Sequence, residues 1–387
     1  MGEHDMRDRP TYLDRKIARM VQSPLYSGIT ISAYRQSDAS HYQFNAGNLD
    51  ARTPYFATSI AKFYAAAILM QLRDEGKIAF DTPFKSYLPG CKLCIEIHVK
   101  DAVDYTDQIT IRHLMSHTSG LGDFFIFRNR ARALQHAIAD GYDTAWSFDD
   151  VISRTRSHGA IEAPGVSPKA LYTDSNFHIL GKVIEAIEQK TFSQVVKDRI
   201  TGPLGLTASY IFNDPSDTRP VNLMSGARDV VVPRSMSSFQ ADGGLVTTSR
   251  EGLIFLRSFF EGYLFDRRRI RDLYDWKPMF PPVSYGLGVM RVEPTRLLGV
   301  RFRLREPWNF TRVLPKVYGH YGFGGSFVFY APEIKVYVSG TTNQLTDPAR
   351  SIALSLKVME AIAYDEVRPK ETSHVPPRGV LRPHAAE

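Results

Sequence analysis

Residues 55–78, YFATSIAKFYAAAILMQLRDEGKI, decide how the rest of the chain is read. The stretch reads as one helix with a nearly all-apolar body, yet it holds Ser59 and, three residues on, Lys62. A helix this apolar must be buried, and an ammonium just inside its entrance then loses its hydration. The spacing of three puts Lys62 on the face of Ser59, one turn deeper. At a helix start, free backbone N–H groups and the positive end of the macrodipole favour negative charge, including a developing serine alkoxide or a substrate oxyanion. Enclosed among Phe56, Phe63, Tyr64 and Ile68, Lys62 is expected to have a lowered pKa and to accept a proton. Ser59 and Lys62 then form a nucleophile beside a base. The competing reading is a serine N-cap with a lysine that snorkels to solvent. S-x-x-K alone does not separate the two.

Composition narrows the surroundings of that pair. The chain has 387 residues, 43% of them hydrophobic and 23% charged, which gives a globular protein with a sizeable core and excludes disorder or fibre. No apolar run approaches the roughly 20 residues of a membrane span, and the first residues, MGEHDMRDRPTYLDRK, lack the apolar segment of a secretory signal. A cytoplasmic location is the expectation. The net charge is +7, from 48 basic and 41 acidic residues, and the basic residues form no stripe of the kind a nucleic-acid partner requires. The densest basic cluster, DRRRIRD at 266–272, is bracketed by acids and reads as a solvated turn. Cys91 and Cys94 form a lone C-x-x-C. With no second ligand pair for zinc and no thioredoxin-like context, they are expected to be reduced thiols.

Along the chain, a helix is predicted around 12–21, then a hairpin from SGITISAYRQ and HYQFNAGNL. Residues from about 80 to 234 are helix-rich and broken by turn signals. Strand character returns in YGLGVMRVE and in GHYGFGGSFVFYAPEIKVYVSGTTN, whose halves turn at Ala331-Pro332-Glu333. A helix follows over about 348–364, and the polar, proline-rich residues 366–387 read as a disordered tail. Early and late strands imply one sheet built from both ends of the chain, with the middle inserted as a helical lobe and a cleft between them.

Two further segments bear on Ser59. Tyr172 and Asp174 stand just before a helix whose apolar positions, Phe177, Leu180, Val183, Ile184 and Ile187, recur at helical spacing. His320-Tyr321-Gly322 opens a glycine-rich strand where another chain can approach the backbone closely. S-x-x-K, Y-x-N/D and K/H-x-G in this order resemble the three active-site elements of the serine β-lactamase and penicillin-binding-protein superfamily. DQITIRHLMSHTSGL, ADGGLVTTSREGLIFLRSF and YGLGVM are similar to further stretches of that family, and the likeness covers roughly residues 28–364.

The resemblance implies a mixed α/β fold, a central antiparallel sheet flanked by helices plus an all-helical lobe. It gives one catalytic domain over 1–365, with an α/β part at about 12–80 and 236–365 and the lobe at about 81–235. It implies that Ser59 attacks an acyl carbon while Lys62 and Tyr172 remove its proton and later protonate the leaving group. The backbone N–H groups of Ser59 and Phe323 would form the oxyanion hole, and Asp174, His320, Gly322 and Tyr285 would contact substrate. No cofactor or metal is implied. The partner is a small-molecule acyl substrate, and the sequence carries no signal for oligomeric state.

Two departures shape the substrate expectation. Asp174 stands where the family usually has asparagine; ionised, it only accepts hydrogen bonds, so it would pair with Lys62, hold it charged and shift the base role toward Tyr172. His320 stands where the family usually has lysine, and a mostly neutral imidazole grips a carboxylate poorly. A carboxylesterase-like hydrolase of small or medium acyl groups is therefore expected. The alternatives are a D-amino-acid amidase or peptidase, a β-lactamase, an acyltransferase, or a catalytically silent scaffold.

Other conspicuous residues take plainer readings. His113 and His117 lack the glutamate of a zinc helix. G-F-G-G-S near Gly322 leads into a strand rather than a phosphate-binding helix. The N-F-T at Asn309 is a glycosylation sequon without a secretory route, and Trp308, Phe310 and Tyr285 read as core aromatics, with a place lining the cleft as the alternative for Tyr285.

Overall fold

The computed structural model describes residues 11–126, 133–294 and 314–364. The expected tail and the stretch holding Trp308, Asn309 and Phe310 lie outside the described residues.

Local signals set the first elements. Thr11 and Asp14 form a capping box that starts helix α1 (Tyr12–Met20), which buries Leu13 and Ile17. Strands β1 (Gly28–Arg35) and β2 (Ser40–Gly47) pair as the predicted hairpin. The next segment departs from expectation. Tyr55–Thr58 is a strand, β3, and helix α2 runs only from Ala61 to Asp74. The reason is tertiary: Tyr55 and Phe56 pair antiparallel with Thr247 and Val246 of a distant strand, and Thr58, at φ 49°, turns the chain into the helix.

The middle of the chain carries β4 (Val99–Lys100), β5 (Val103–Asp104), α3 (Ile111–Met115), α4 (Leu134–Ala139), α5 (Phe148–His158), α6 (Asp174–Glu188) and α7 (Phe192–Val196). Then come α8 (Gly202–Leu204), β6 (Tyr210–Ile211), β7 (Leu223–Ser225), β8 (Arg228–Val230) and α9 (Pro233–Ser238). The lobe is thus mainly helical but includes the short hairpins β4–β5 and β7–β8. The first of these lies in the 91–107 segment, where a second correction is needed. Cys91 and Cys94 are disulfide-bonded rather than free, because the 3-10 turn Lys92–Cys94 holds their Cα atoms 5.4 Å apart, inside the bridging range.

The remaining elements are β9 (Leu245–Thr247), α10 (Ser249–Glu261), β10 (Lys277–Phe280), β11 (Val283–Tyr285), β12 (Met290–Val292), β13 (Val317–Tyr321), β14 (Ser326–Ala331), β15 (Val336–Thr341) and α11 (Pro348–Ala363). Eight strands form one antiparallel sheet in the order β10-β11-β12-β13-β14-β15-β1-β2, so both ends of the chain build it. Helices α10 and α11 cover β14 and β15, which are buried along their whole length instead of alternately. YGLGVMRVE is not one strand. Gly286–Val289 is a turn in which Gly288, at φ +79°, approaches α2 so closely that a Cβ would lie 2.4 Å from Ala66 Cβ.

β3, β9 and β6 form a second small sheet beneath the cleft. Helix α2 is buried almost throughout, its Phe63 packed on Phe255 and Phe259 of α10 at ring separations of 5.4 and 4.2 Å. Phe63→Ala is expected to cost about 3–5 kcal/mol of stability, measured as a shift in the urea midpoint at unchanged slope.

Candidate active site

Ser59 sits in the turn between β3 and α2, at the floor of a cavity of about 280 Å³. The Lys62 amide donates to the Ser59 carbonyl at 3.1 Å, so the side chains share the first helical turn. Lys62 is fully buried, but it is not enclosed by apolar groups alone. Phe63 and Tyr64 point away, toward α10. The Lys62 Nζ instead donates to Ser59 Oγ at 3.2 Å, to Asp174 Oδ1 at 2.5 Å and to the Asp242 carbonyl. An ammonium has three protons, and each meets an acceptor. The rings of Tyr172 and Phe177 stand 5.1 and 5.8 Å from Nζ.

Tyr172 lies in the extended segment before α6, and its phenol faces Ser59 in the cavity that both line. Burial and the nearby Asp174 carboxylate push this phenol well above the usual tyrosine range, so it holds its proton. His117 braces the segment from behind: its carbonyl accepts from Leu171 N at 2.7 Å, its Nδ1 from Thr173 N at 3.2 Å, and its ring lies 4.3 Å from that of Tyr172. Burial keeps the His117 imidazole neutral.

Asp174 opens α6, where the helix dipole favours a carboxylate, and lines the cavity beside Ser59 and Tyr172. Burial raises its pKa, an effect that Lys62 counters and Asp242 reinforces. Asp242 accepts from Gln240 N at 2.8 Å and pairs with His178 at 3.2 Å, which together with Lys62 keep it ionised against its burial.

His320 and Tyr285 stand elsewhere than a substrate-contacting role requires. Both are fully buried and neither lines the cavity. His320 Nδ1 donates to the Tyr321 carbonyl at 2.7 Å, which fixes Nε2 as the acceptor of the Tyr285 hydroxyl at 3.0 Å. Burial, helped by Lys62, pushes its pKa down to about 3, so it is neutral. The reason for the correction is register: along β13, His320 faces the interior and Tyr321 the cavity.

Gly322 acts by its lack of a side chain. A Cβ there would lie 2.2 Å from Thr58 Oγ1 and 2.4 Å from the Ala57 carbonyl, so only glycine lets the β13 end close on β3. Ser326 Oγ donates to that same carbonyl at 2.7 Å and locks the approach. The closure brings Phe323 to the cavity with Ser59, and among the described residues neither N–H is bonded to a main-chain carbonyl.

The cavity walls are apolar: Phe125, Leu223, Met236, Phe239, Met279 and Phe323 stand among the lining residues, with Ile126 and Phe280 half exposed at its edge. Asp174 and Asp242 are its charged lining groups, and no lysine, arginine or histidine lines it among the described residues. Sequence reasoning missed Asp242 and His117, although both lie inside the family-like stretches ADGGL and RHLMSHTSGL. The signal was present but carried no chemistry until their partners came into view.

Residues 13–361 match the model of the family described as Beta-lactamase, so the chain belongs to that family. It has the fold of that family's serine hydrolases. It is similar to a penicillin-binding protein of Bacillus subtilis (strain 168), with 24% identity over 67% of this chain and 58% of the other, and to a teichoic acid D-alanine hydrolase of Staphylococcus aureus (strain MRSA252), with 27% identity over 52% and 45%. The chain spans about half the length of the curated relatives it matches. A D-stereospecific amidohydrolase from Streptomyces sp. superposes with a TM-score of 0.70 at 22% identity, covering 90% of this chain and 97% of that one. Among the described residues, no helix is long and apolar enough to cross a membrane.

Lys62→Met leaves Asp174 buried without its cation and is expected to cost about 3–5 kcal/mol at neutral pH. Without Lys62 the folded-state pKa of Asp174 rises further, while the unfolded chain titrates in the ordinary carboxylate range. The deficit against wild type should therefore grow as pH rises above that range and shrink as it falls, which denaturation at pH 5 and pH 8 would read.

Proposed function

We propose that this protein is a serine hydrolase that cleaves neutral, apolar esters through an acyl-enzyme on Ser59. Lys62 moves the proton between Ser59, the leaving group and water, and the protonated phenol of Tyr172 stands over the Ser59 hydroxyl and orients it. The N–H groups of Ser59 and Phe323 hold the oxyanion, an arrangement in which each donor typically contributes about 10²–10³ in rate. His320 and Tyr285 support Tyr172 and the β13 strand from behind, and Gly322 sets the spacing of the hole.

The observation that carries the ester reading is the cavity wall. Among the described residues its charged lining groups, Asp174 and Asp242, are anions, and the histidine of the third element is buried and neutral. A substrate carboxylate, as in a penicillin or a D-Ala-D-Ala terminus, finds no unpaired cation there among the described lining residues. The same two carboxylates favour a second reading, in which the substrate is a D-amino-acid amide or ester with a free ammonium group. The solved amidohydrolase from Streptomyces sp. is consistent with that reading at the level of fold.

A substrate panel separates these readings. p-Nitrophenyl butyrate should exceed nitrocefin in kcat/KM by about 100-fold or more, and a reversed order would sink the ester assignment. D-Phenylalanine amide turned over faster than the butyrate ester would favour the second reading. Ser59→Ala and Tyr172→Phe should each abolish turnover while leaving Tm nearly unchanged. A fluorophosphonate probe that labels wild type no faster than Ser59→Ala would point to a silent scaffold.

A further inference from the structure

Lys62 reaches Ser59 as a fully engaged donor, which leaves no lone pair to take the serine proton. Its three acceptors are Ser59 Oγ, Asp174 Oδ1 and the Asp242 carbonyl. For Nζ to accept a proton from Ser59 it must give one up at the same time. The Asp242 carbonyl cannot hold a proton at any accessible pH. Asp174 can, and its oxygen lies 2.5 Å from Nζ. The phenol of Tyr172 is no substitute, because it already carries its proton.

We propose that Lys62 and Asp174 work as one proton-accepting unit, in which an Nζ proton passes to Asp174, the terminal acceptor, and rotation about the Cε–Nζ bond turns the freed lone pair to Ser59 to take its proton. This rests on the serine-hydrolase reading of the site. In the acylation step the Ser59 O–H bond breaks and an Oγ–C bond forms, and the carbonyl π pair moves onto oxygen. Lys62 begins and ends the step as an ammonium, Asp174 becomes a carboxylic acid, and one negative charge moves from Asp174 to the oxyanion held by Ser59 and Phe323. On collapse the proton returns from Asp174 through Nζ to the departing oxygen. Water then attacks the acyl-enzyme by the same route, and the sum is ester plus water to acid plus alcohol.

The surroundings suit this role. Lys62 from α2 and His178 from α6 stabilise the Asp174 anion, while Asp242 before β9 and burial oppose it. Asp123 faces it through the Asp174 amide, which donates to Asp123 Oδ1 at 3.3 Å, and is itself held toward the protonated form. His117 and His320 face Lys62 as neutral imidazoles, and Tyr172 as a neutral phenol. The balance leaves Asp174 more basic than an ordinary carboxylate, which makes it a better proton acceptor near neutral pH. Asparagine at this position accepts a hydrogen bond but not a proton. A site with asparagine must first lose the lysine proton to solvent.

The test is the pH dependence of Ser59 labelling by a fluorophosphonate, which reads nucleophile activation without assuming a substrate. In wild type the labelling rate should rise as Asp174 ionises and be level through neutral pH. In Asp174→Asn the rise should move upward by more than one pH unit, toward the titration of an amine. The variant should be slower by about 100-fold at pH 6 and by less than about 10-fold at pH 9. Asp174→Glu, which keeps a carboxylate, should keep the wild-type position of the rise even if its rate is lower. Profiles of wild type and Asp174→Asn that differ only by a constant factor would overturn the proposal, as would Asp174→Glu following the asparagine variant. Wild-type labelling no faster than Ser59→Ala removes the serine-hydrolase reading and this proposal with it. Wild-type labelling without ester turnover removes only the ester assignment, and the profiles still decide the proton route. Circular dichroism of each variant keeps a folding defect distinct from a lost proton path.

Discussion

The buried ammonium of Lys62 is the interaction on which the rest of the structure depends. A charge with no exposed surface is tolerated only where its protons are all accepted, and here the acceptors come from three separate parts of the chain: the β3–α2 turn, the start of α6 and the segment before β9. Each contact therefore ties a piece of the helical lobe or the small sheet to α2. The cleft is not simply the gap between two layers. It is the region where those pieces are pinned to one charge.

The pinning explains how the supporting residues are arranged. Asp242 presents its carbonyl to Lys62 because its own carboxylate is anchored by Gln240 N and His178. Thr173 caps α6 and at the same time gives its N–H to His117, so Asp174 enters the first helical turn with Tyr172 just outside it. His117 in turn packs on Tyr172 and Tyr285, and Tyr285 reaches His320. This second layer is largely neutral, which keeps the charge confined to Lys62 and its carboxylates and the cavity wall apolar.

Backbone closeness supplies what side chains cannot. Gly322 admits the β13–β14 hairpin to van der Waals range of β3, and Gly288 admits the β11–β12 turn to α2. A methyl group at either point would separate the large sheet from the β3–α2 segment that carries Ser59. The N–H groups of Ser59 and Phe323, the proposed oxyanion donors, come together only when these two bodies are in contact, since one belongs to each.

Much of this was legible in the chain. The hairpin β1–β2, helix α1 with its Thr11–Asp14 box, the β14–β15 turn and helix α11 follow from periodicity and capping, which act over a few residues. The resemblance of S-x-x-K and Y-x-N/D to the family's active-site elements was enough to foresee that Ser59, Lys62, Tyr172 and Asp174 meet, and the chemistry of an ionised carboxylate that Asp174 would pair with Lys62. Four things were decided only by tertiary structure. Tyr55–Thr58 became a strand because β9, nearly two hundred residues away in sequence, offered it a pairing edge. His320 turned inward because sheet register, not residue type, assigns a side chain to one face, whereas the core reading of Tyr285 held. Cys91 and Cys94 bonded because a 3-10 turn set their spacing, which compartment reasoning does not see. Lys62 took the Asp242 carbonyl as its third acceptor, a contact with no trace in composition or spacing. Sequence fixes local geometry and the identity of reactive groups, whereas burial, register and the partners of a buried charge arise from long-range packing.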